Sequence, residues 1–400
     1  MKTVALVSPD SSGHHQTYLR RYALTLLQLG HAVAAFTPAP DDLVAWIGRA
    51  CPDRADRLRA AALHYVQRWR APGPLAIFFG KAAWVRFIAK TINATGIRPD
   101  LVFHTWLDNC LTPGLTAGLT DLLFPYPWSG LYFHPWYLRQ RLPYAWLRRG
   151  PLSNHDALRS RRCPAVALLD EGVAGRLQSL LGKKPVLVFP DIADDSPPDP
   201  AFEPAAEIIE RGGTRKVVGL LGVLSRRKGM LTLIEMAQRA ARESWFFVFA
   251  GVLDQNSFSA AERRAIAEFV RSKPENCFFY LQRIPDEPQF NALVNACDVL
   301  FAVYRNFLSS SNLLTKAALF HKPIMVSNRH CMGERVAAFG LGATAAEESV
   351  EQCLDALYRL GDRLDQTGGL ATTRFEDYRR LHSIERLHAA FGELLAAAGL

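Results

Sequence analysis

The sequence predicts an α/β protein built from two consecutive Rossmann-like domains. Three observations carry that prediction. Continuous apolar runs of strand length recur along the chain, and such runs belong to parallel strands covered on both faces. Segments with apolar residues at helical spacing separate them, which is the βαβ rhythm. The rhythm breaks once, at the acidic, proline-rich stretch DIADDSPPDPAFEP from Asp191. A chain of 400 residues has room for two or three domains at roughly 150 residues each.

The elements follow in order. Residues 3–9 (TVALVSP) form the first strand, and a polar, glycine-bearing loop from Asp10 to His15 comes next. Leu19, Tyr22, Ala23, Leu26 and Leu27 recur at helical spacing up to Gly30, a natural C-terminal cap. The strand HAVAAFT begins at once. Further strands are expected at 100–104, 130–134, 165–169 and 185–189. Residues 191–213 read as an interdomain linker. A second series then runs from strand 217–222 through a helix from Met230, strand 245–251, a helix near 259–272 and strand 277–283. It continues with helix 286–297, strand 299–304, a serine-rich loop, a short helix and strand 323–327. The expected organisation is an N-terminal domain over 1–190, a second domain over 214–375, and a C-terminal helix over 376–400 that could pack back on the first.

Charge and cysteine usage narrow the function. Lys and Arg number 47 against 38 Asp and Glu, a net +9. The surplus is uneven: residues 1–200 hold 23 cations and 15 acids, and residues 201–400 hold 24 and 23. An anionic partner is implied, whether nucleic acid, an acidic membrane or a phosphorylated substrate. The seven cysteines are scattered without a CxxC pair, which argues against a disulfide framework or zinc site and fits a reducing cytoplasm. MKTVALVSP lacks a signal-peptide profile, and no apolar run reaches transmembrane length. A cytoplasmic protein, at most peripheral to a membrane, is expected.

Ligands of open α/β sheets lie beyond the carboxyl ends of the strands, and three loops fall there. Ser11-Ser12-Gly13-His14-His15 follows the first strand. Gly13 would let the backbone approach a ligand, with helix N–H groups behind it, although an ordinary polar turn has the same composition. Ser225-Arg226-Arg227-Lys228-Gly229 sets three cations before a helix, suited to a diphosphate or simply solvated. Ser309, Ser310, Ser311 and Asn312 precede the short helix, as a phosphate cradle or as caps alone. Lys316 lies one turn in, and helical side chains lean toward the N-terminus, so it could reach an anion held by those serines. His104 and His134 each end a strand, and Asp108 follows His104 by four residues. No His, Asp or Glu spacing reads as a metal site, and neither a dinucleotide fingerprint nor a Walker lysine motif occurs.

Several segments together resemble the large retaining group of GT-B glycosyltransferases (group 1, family 4-like). SSGHHQTYLRRYALTLLQLGHAVAAFT resembles the group's glycine loop, helix and GH-x-V strand. GVLSRRKGMLTLIEMA resembles its GRL…KG…L…A element. DVLFAVYRNFLSSSNLLTKAALFHKPIMVS and GERVAAFGLG resemble the segments that follow. The likeness spans nearly the whole chain and is loosest between residues 40 and 190. It implies two Rossmann-like domains facing each other across a cleft. It also implies transfer of a sugar from a UDP- or GDP-linked donor with retention of configuration, without cofactor or metal. Carried over, Gly13 would lie against the donor, Lys228 would neutralise the leaving diphosphate, and Ser309 to Asn312 would offer N–H groups to it. Ile284 would lie by the base and His134 near the reacting centre. His14, His15, His104 and Asp108 would fall on the acceptor side.

Two features depart from the group. Its arginine five residues before Lys228 is Val223 here, with Arg226 as a substitute cation. Its paired glutamates, one for donor-sugar hydroxyls and one for the ribose, become Leu308 and Lys316. A non-catalytic GT-B subunit that binds a nucleotide sugar or a partner is therefore the alternative reading. In the basic half, Arg139, Arg141, Arg148, Arg149, Arg159, Arg161 and Arg162 lie close to Trp136, Tyr137, Tyr144 and Trp146. Residues 65–92 mix Arg68, Arg70, Lys81, Arg86 and Lys90 with Trp69, Phe78, Phe79, Trp84 and Phe87. This suits an anionic membrane interface and a lipid-linked or phosphorylated acceptor, or else an arginine-rich surface whose aromatics pack inward. Nucleic acid is the least supported anion, since no binding module is recognisable.

Overall fold

The computed structural model describes residues 1–10, 14–65, 73–140 and 153–400. The chain divides into two compact units: Met1–Ile192 with His382–Leu400, and Ala193–Leu381.

The first unit runs β1 (Thr3–Val7), α1 (His14–Gln28), β2 (Ala32–Thr37), α2 (Pro40–Ala50), β3 (Leu58–Ala62), α3 (Pro74–Ala94) and β4 (Leu101–His104). It continues α4 (Ala117–Leu123), β5 (Trp128–Tyr132), α5 (Trp136–Arg139), β6 (Val166–Leu168), α6 (Glu171–Leu181) and β7 (Val186–Val188). The second runs α7 (Glu203–Gly212), β8 (Lys216–Leu221), α8 (Met230–Arg239), β9 (Trp245–Ala250), α9 (Ala260–Arg271), β10 (Cys277–Tyr280) and α10 (Glu287–Ala296). Then come β11 (Val299–Ala302), α11 (Asn312–Leu319), β12 (Ile324–Ser327), α12 (His330–Phe339), β13 (Gly342–Ala345), α13 (Val350–Asp365) and α14 (Phe375–Leu381), and the chain ends with α15 (Ile384–Ala397).

Both sheets are parallel. The first has the order β3-β2-β1-β4-β5-β6-β7 and the second β10-β9-β8-β11-β12-β13. Each is the doubly wound arrangement whose order reverses at one point, between β1 and β4 in the first unit and between β8 and β11 in the second. The apolar runs explain it. In β1, Val4 and Leu6 pack against α1 and α15 residues while Ala5 and Val7 face the α3 side. In β8, Val217 and Leu221 face one layer and Val218 and Leu220 the other. With both faces buried, such strands have no solvent side on which to alternate polar residues.

Two sequence expectations change at the domain borders. Only the start of 191–213 is irregular, since α7 occupies its end with Ala205, Ile208 and Gly212 buried. The proline-rich composition hid it, yet Glu203 and Pro204 in the first turn suit a helix start. The region 376–400 holds two helices rather than one. Here α14 belongs to the second unit and α15 to the first, with Ser383 capping α15 through the Arg386 N–H. Phe391 of α15 meets the Tyr22 ring edge-on at 5.1 Å. The Asp191 N–H donates to His382 Nδ1 at 2.9 Å, so the two places where the chain leaves the first unit are tied together. No helix among the described residues is long and apolar enough to cross a membrane.

Candidate functional site

In the second unit the cationic loop lies at the switch point. β8 ends at Leu221, and the loop from Gly222 closes with Gly229, whose φ of +79° and N-cap position open α8. A Cβ at residue 229 would lie 2.6 Å from the Val303 carbonyl oxygen. Glycine therefore lets the loop press against the end of β11. The Arg305 N–H donates to the Arg227 carbonyl at 2.7 Å and joins the two strand-end loops. Lys228 Nζ sits 5.6 Å from the Tyr304 ring centroid, and the Arg227 guanidinium 5.1 Å from that of Phe307. Neither cation forms an ion pair with a described residue. The Tyr304 hydroxyl is buried without a hydrogen-bond partner. Two cations without counter-ions among the described residues are thus held over aromatic faces at the end of β8, an arrangement with the chemistry to attract an anion.

The other sequence candidates of this unit separate. Arg226 turns to Glu262 at 2.8 Å. The Ser259 N–H and hydroxyl, and then Arg226, hold the Glu262 carboxyl below the usual carboxylate range. Ser310 Oγ accepts from the buried Arg335 at 2.6 Å, Ser309 is buried, and Ser311 is the extended N-cap residue of α11, whose first residue is Asn312. Ile284 is half-buried against the core.

Lys316 overturns its expectation. It is 3% exposed, with Nζ 2.7 Å from Glu287 Oε2, donating to Asn291 Oδ1 at 2.5 Å and to the Asp194 carbonyl at 3.2 Å. The ammonium is held by these two hydrogen bonds and the ion pair, buried away from the serines. It cannot reach for a phosphate at the serines, because the Glu287 carboxylate captures it.

In the first unit the switch point is aromatic. The His15 ring lies 4.3 Å from that of Trp106, which stacks on Phe133 at 4.3 Å and meets His134 edge-on at 5.2 Å. Trp106, Phe133 and His134 follow β4 and β5 at their carboxyl ends, and His15 lies in the first turn of α1. Asp108 ties the group together by accepting the Phe133 and His134 N–H groups, each at 2.9 Å. Burial pushes its carboxyl above the usual range, against the pull of His134 and the two N–H donors. His104 lies apart from this group. Its ring is buried beside Phe124 and Trp128, with Nδ1 3.6 Å from Cys110 Sγ, and burial pushes its pKa down to about 4. Gly13 and the His14 side chain lie outside the described residues. Sequence reasoning missed Trp106, Tyr304, Phe307 and Glu287. Aromatic residues one to five positions past a strand end, opposite a flagged loop, were the available signal.

The basic segments are partly internal. Arg139 is buried against Asp170, with Nε donating to Oδ2 at 2.7 Å. Lys81 donates to the Asp108 and Leu111 carbonyls, and Trp84 and Phe78 pack into the core. Leu75, Ile77 and Phe79 at the start of α3 are 73%, 54% and 47% exposed, and Arg86 and Lys90 follow, exposed, on the same helix. Arg68, Trp69, Arg70, Arg141, Tyr144, Trp146, Arg148 and Arg149 lie outside the described residues.

No protein-family model and no curated protein matches the chain. Solved structures do. Over 99% of its length the chain is similar to a sucrose-phosphate synthase from Thermosynechococcus elongatus, with 17% identity, 98% of that chain covered and a TM-score of 0.69. An α,α-trehalose 6-phosphate synthase from Burkholderia multivorans matches all of it, with 13% identity, 99% of that chain covered and a TM-score of 0.67. HepE from Anabaena, solved with UDP and glucose, matches 99% of it at 14% identity, 100% of that chain covered and a TM-score of 0.62. The chain has the α/β GT-B fold of these proteins, as the sequence predicts.

Proposed function

We propose that the protein is a retaining glycosyltransferase that takes a sugar from a nucleotide-sugar donor. The observation that carries this reading is the pair Arg227 and Lys228, without counter-ions among the described residues at the β8–β11 switch point, where a GT-B fold binds its donor's diphosphate by the resemblance above. HepE, of the same fold, was solved with UDP and glucose, which supports a UDP-linked donor, with GDP as the other candidate. As the nucleoside diphosphate leaves, its growing charge is met by Lys228, Arg227 and the N-terminal end of α11. Preorganised charge of this kind is usually the largest catalytic term. The reading calls for no metal or cofactor. Gly13, Ser309 to Asn312 and Ile284 stay assigned to the donor. His134, with His14, His15 and Asp108, stays on the acceptor side.

The test is calorimetric titration with UDP, GDP and ADP, followed by donor screening by mass spectrometry with the nucleotide that binds. Absence of any nucleotide binding would sink the reading. Binding without transfer or hydrolysis would favour the non-catalytic subunit, the reading that the loss of both group glutamates (Leu308, Lys316) supports. The acceptor is proposed to be lipid-linked or phosphorylated, with the protein peripheral at the cytoplasmic face of an anionic membrane. Exposed Leu75, Ile77 and Phe79 ahead of Arg86 and Lys90 support this, and co-sedimentation with phosphatidylserine vesicles at low salt checks it. Nucleic acid is not proposed as a partner.

A further inference from the structure

We propose that Glu287 is the residue that holds the ribose hydroxyls of the nucleotide, and that the buried Lys316 is its positioning residue. This rests on the donor reading above and names a residue that the sequence motif does not. Lys316 turns into the fold, where Nζ donates to Asn291 Oδ1 and the Asp194 carbonyl and forms an ion pair with Glu287 Oε2 at 2.7 Å. At 3% exposure it presents no face to a ligand. Its partner does. Glu287 lies at the first turn of α10 with its side chain 30% exposed. Its other oxygen, Oε1, takes part in no hydrogen bond with a described residue.

The neighbouring acids are already engaged. Asp286 caps α10 by accepting the Gln289 N–H at 3.1 Å, and Asp194 accepts the Ser196 N–H at 2.9 Å. A carboxylate held at one oxygen by a buried ammonium 2.7 Å away is fixed in place. Its free oxygen accepts hydrogen bonds and repels phosphate. The matching ligand group is therefore a hydroxyl.

The position fits the same ligand as the cationic loop. The Phe290 ring centroid is 5.2 Å from Lys316 Nζ. On its other side, Phe290 Cε2 lies 3.8 Å from where a Cβ on Gly222 would stand, and Lys228 Nζ lies 3.2 Å from that point. One aromatic ring thus separates the phosphate cation from the Lys316–Glu287 pair. An acid taking a ribose hydroxyl beside the switch point is also a general solution of doubly wound sheets.

The experiment compares UDP (or GDP, whichever binds wild type) with its 2′-deoxy form and with inorganic pyrophosphate. Wild type should prefer the ribonucleotide about tenfold or more. Glu287→Gln should weaken the ribonucleotide about 10- to 100-fold, the scale of a hydrogen bond to a charged group. It should also abolish the ribo-over-deoxy preference and leave pyrophosphate affinity unchanged. Lys316→Met should erode the same preference, a change that a merely structural role would not produce. Unchanged pyrophosphate binding in each variant shows that it is folded. A ribo-over-deoxy ratio kept at the wild-type value in folded Glu287→Gln would overturn this inference and leave the donor reading standing. Wild type that binds no nucleotide would overturn both.

Discussion

The two switch points share a strand order and differ in chemistry. Between β1 and β4 the rings of His15, Trp106, Phe133 and His134 gather, and the carboxylate of Asp108 is consumed by backbone N–H groups. Between β8 and β11 cations are held over rings, and neither Arg227 nor Lys228 forms an ion pair with a described residue. Topology supplies a place for a ligand at both. Which ligand is set by whether the fold neutralises its own charges there. The +9 surplus of the sequence says little on this point, because the second half of the chain is nearly neutral and still leaves Arg227 and Lys228 without an ion pair among the described residues. The first half has the surplus and commits part of it, as with Arg139 on Asp170, to its own interior.

The most damaging break of this contrast should be Lys228→Ala. Removing a preorganised charge from a developing anion typically costs 10²–10³ in kcat, about 2.7–4 kcal/mol. With the donor found by screening, kcat should fall by that factor while the melting temperature stays near wild type, since Lys228 has no ion pair with a described residue to lose. Near-normal turnover would remove the second switch point from the chemistry.

The next effect separates the two strand-end histidines. His104 is buried neutral with a pKa of about 4, against about 6.5 when unfolded. Between those values the unfolded chain binds a proton that the folded one does not, so stability rises with pH across that window. It is complete above pH 6.5 and lost on acidification down to about 4. The loss amounts to about 3 kcal/mol. Urea denaturation at pH 7 and pH 4 should show a smaller acid loss in His104→Gln by that amount. A loss equal to wild type would mean that His104 is solvated and belongs with the ligand-facing group after all.

Much of the fold was legible because buried parallel strands leave a simple trace, and every strand expected from an apolar run is present. α7 was not, because its period is short and prefaced by Pro197, Pro198 and Pro200. For the site, the sequence could flag cations at a strand end but not which way each side chain turns. Asp108 follows His104 by four residues, yet it binds the backbone at His134, because β5 lies beside β4 in the sheet. Lys316 has the right helical position for a phosphate, and a carboxylate 29 residues earlier in the chain, Glu287, takes it. Such pairings are tertiary and leave no local pattern.

Arg226 and Arg227 give the smallest and sharpest test, since they are adjacent, identical in type and equal to any motif. Arg226 faces α9 in an ion pair with Glu262 that is 44% exposed on the arginine side. Screening makes such a surface pair worth under about 1 kcal/mol, and its charge is already balanced at short range. Arg227 forms no ion pair with a described residue and lies over Phe307 beside Lys228. A diphosphate placed between these loops gains a charge-assisted contact from Arg227 and little from Arg226. Arg227→Ala should therefore weaken UDP or pyrophosphate about tenfold, about 1.4 kcal/mol, and flatten the salt dependence of binding. Arg226→Ala should change affinity by less than about twofold while loosening the start of α9. The reverse order in calorimetry would return the anion to the α9 side of the loop. It would also show that the counter-ion rule drawn from comparing the two switch points does not hold even within one loop.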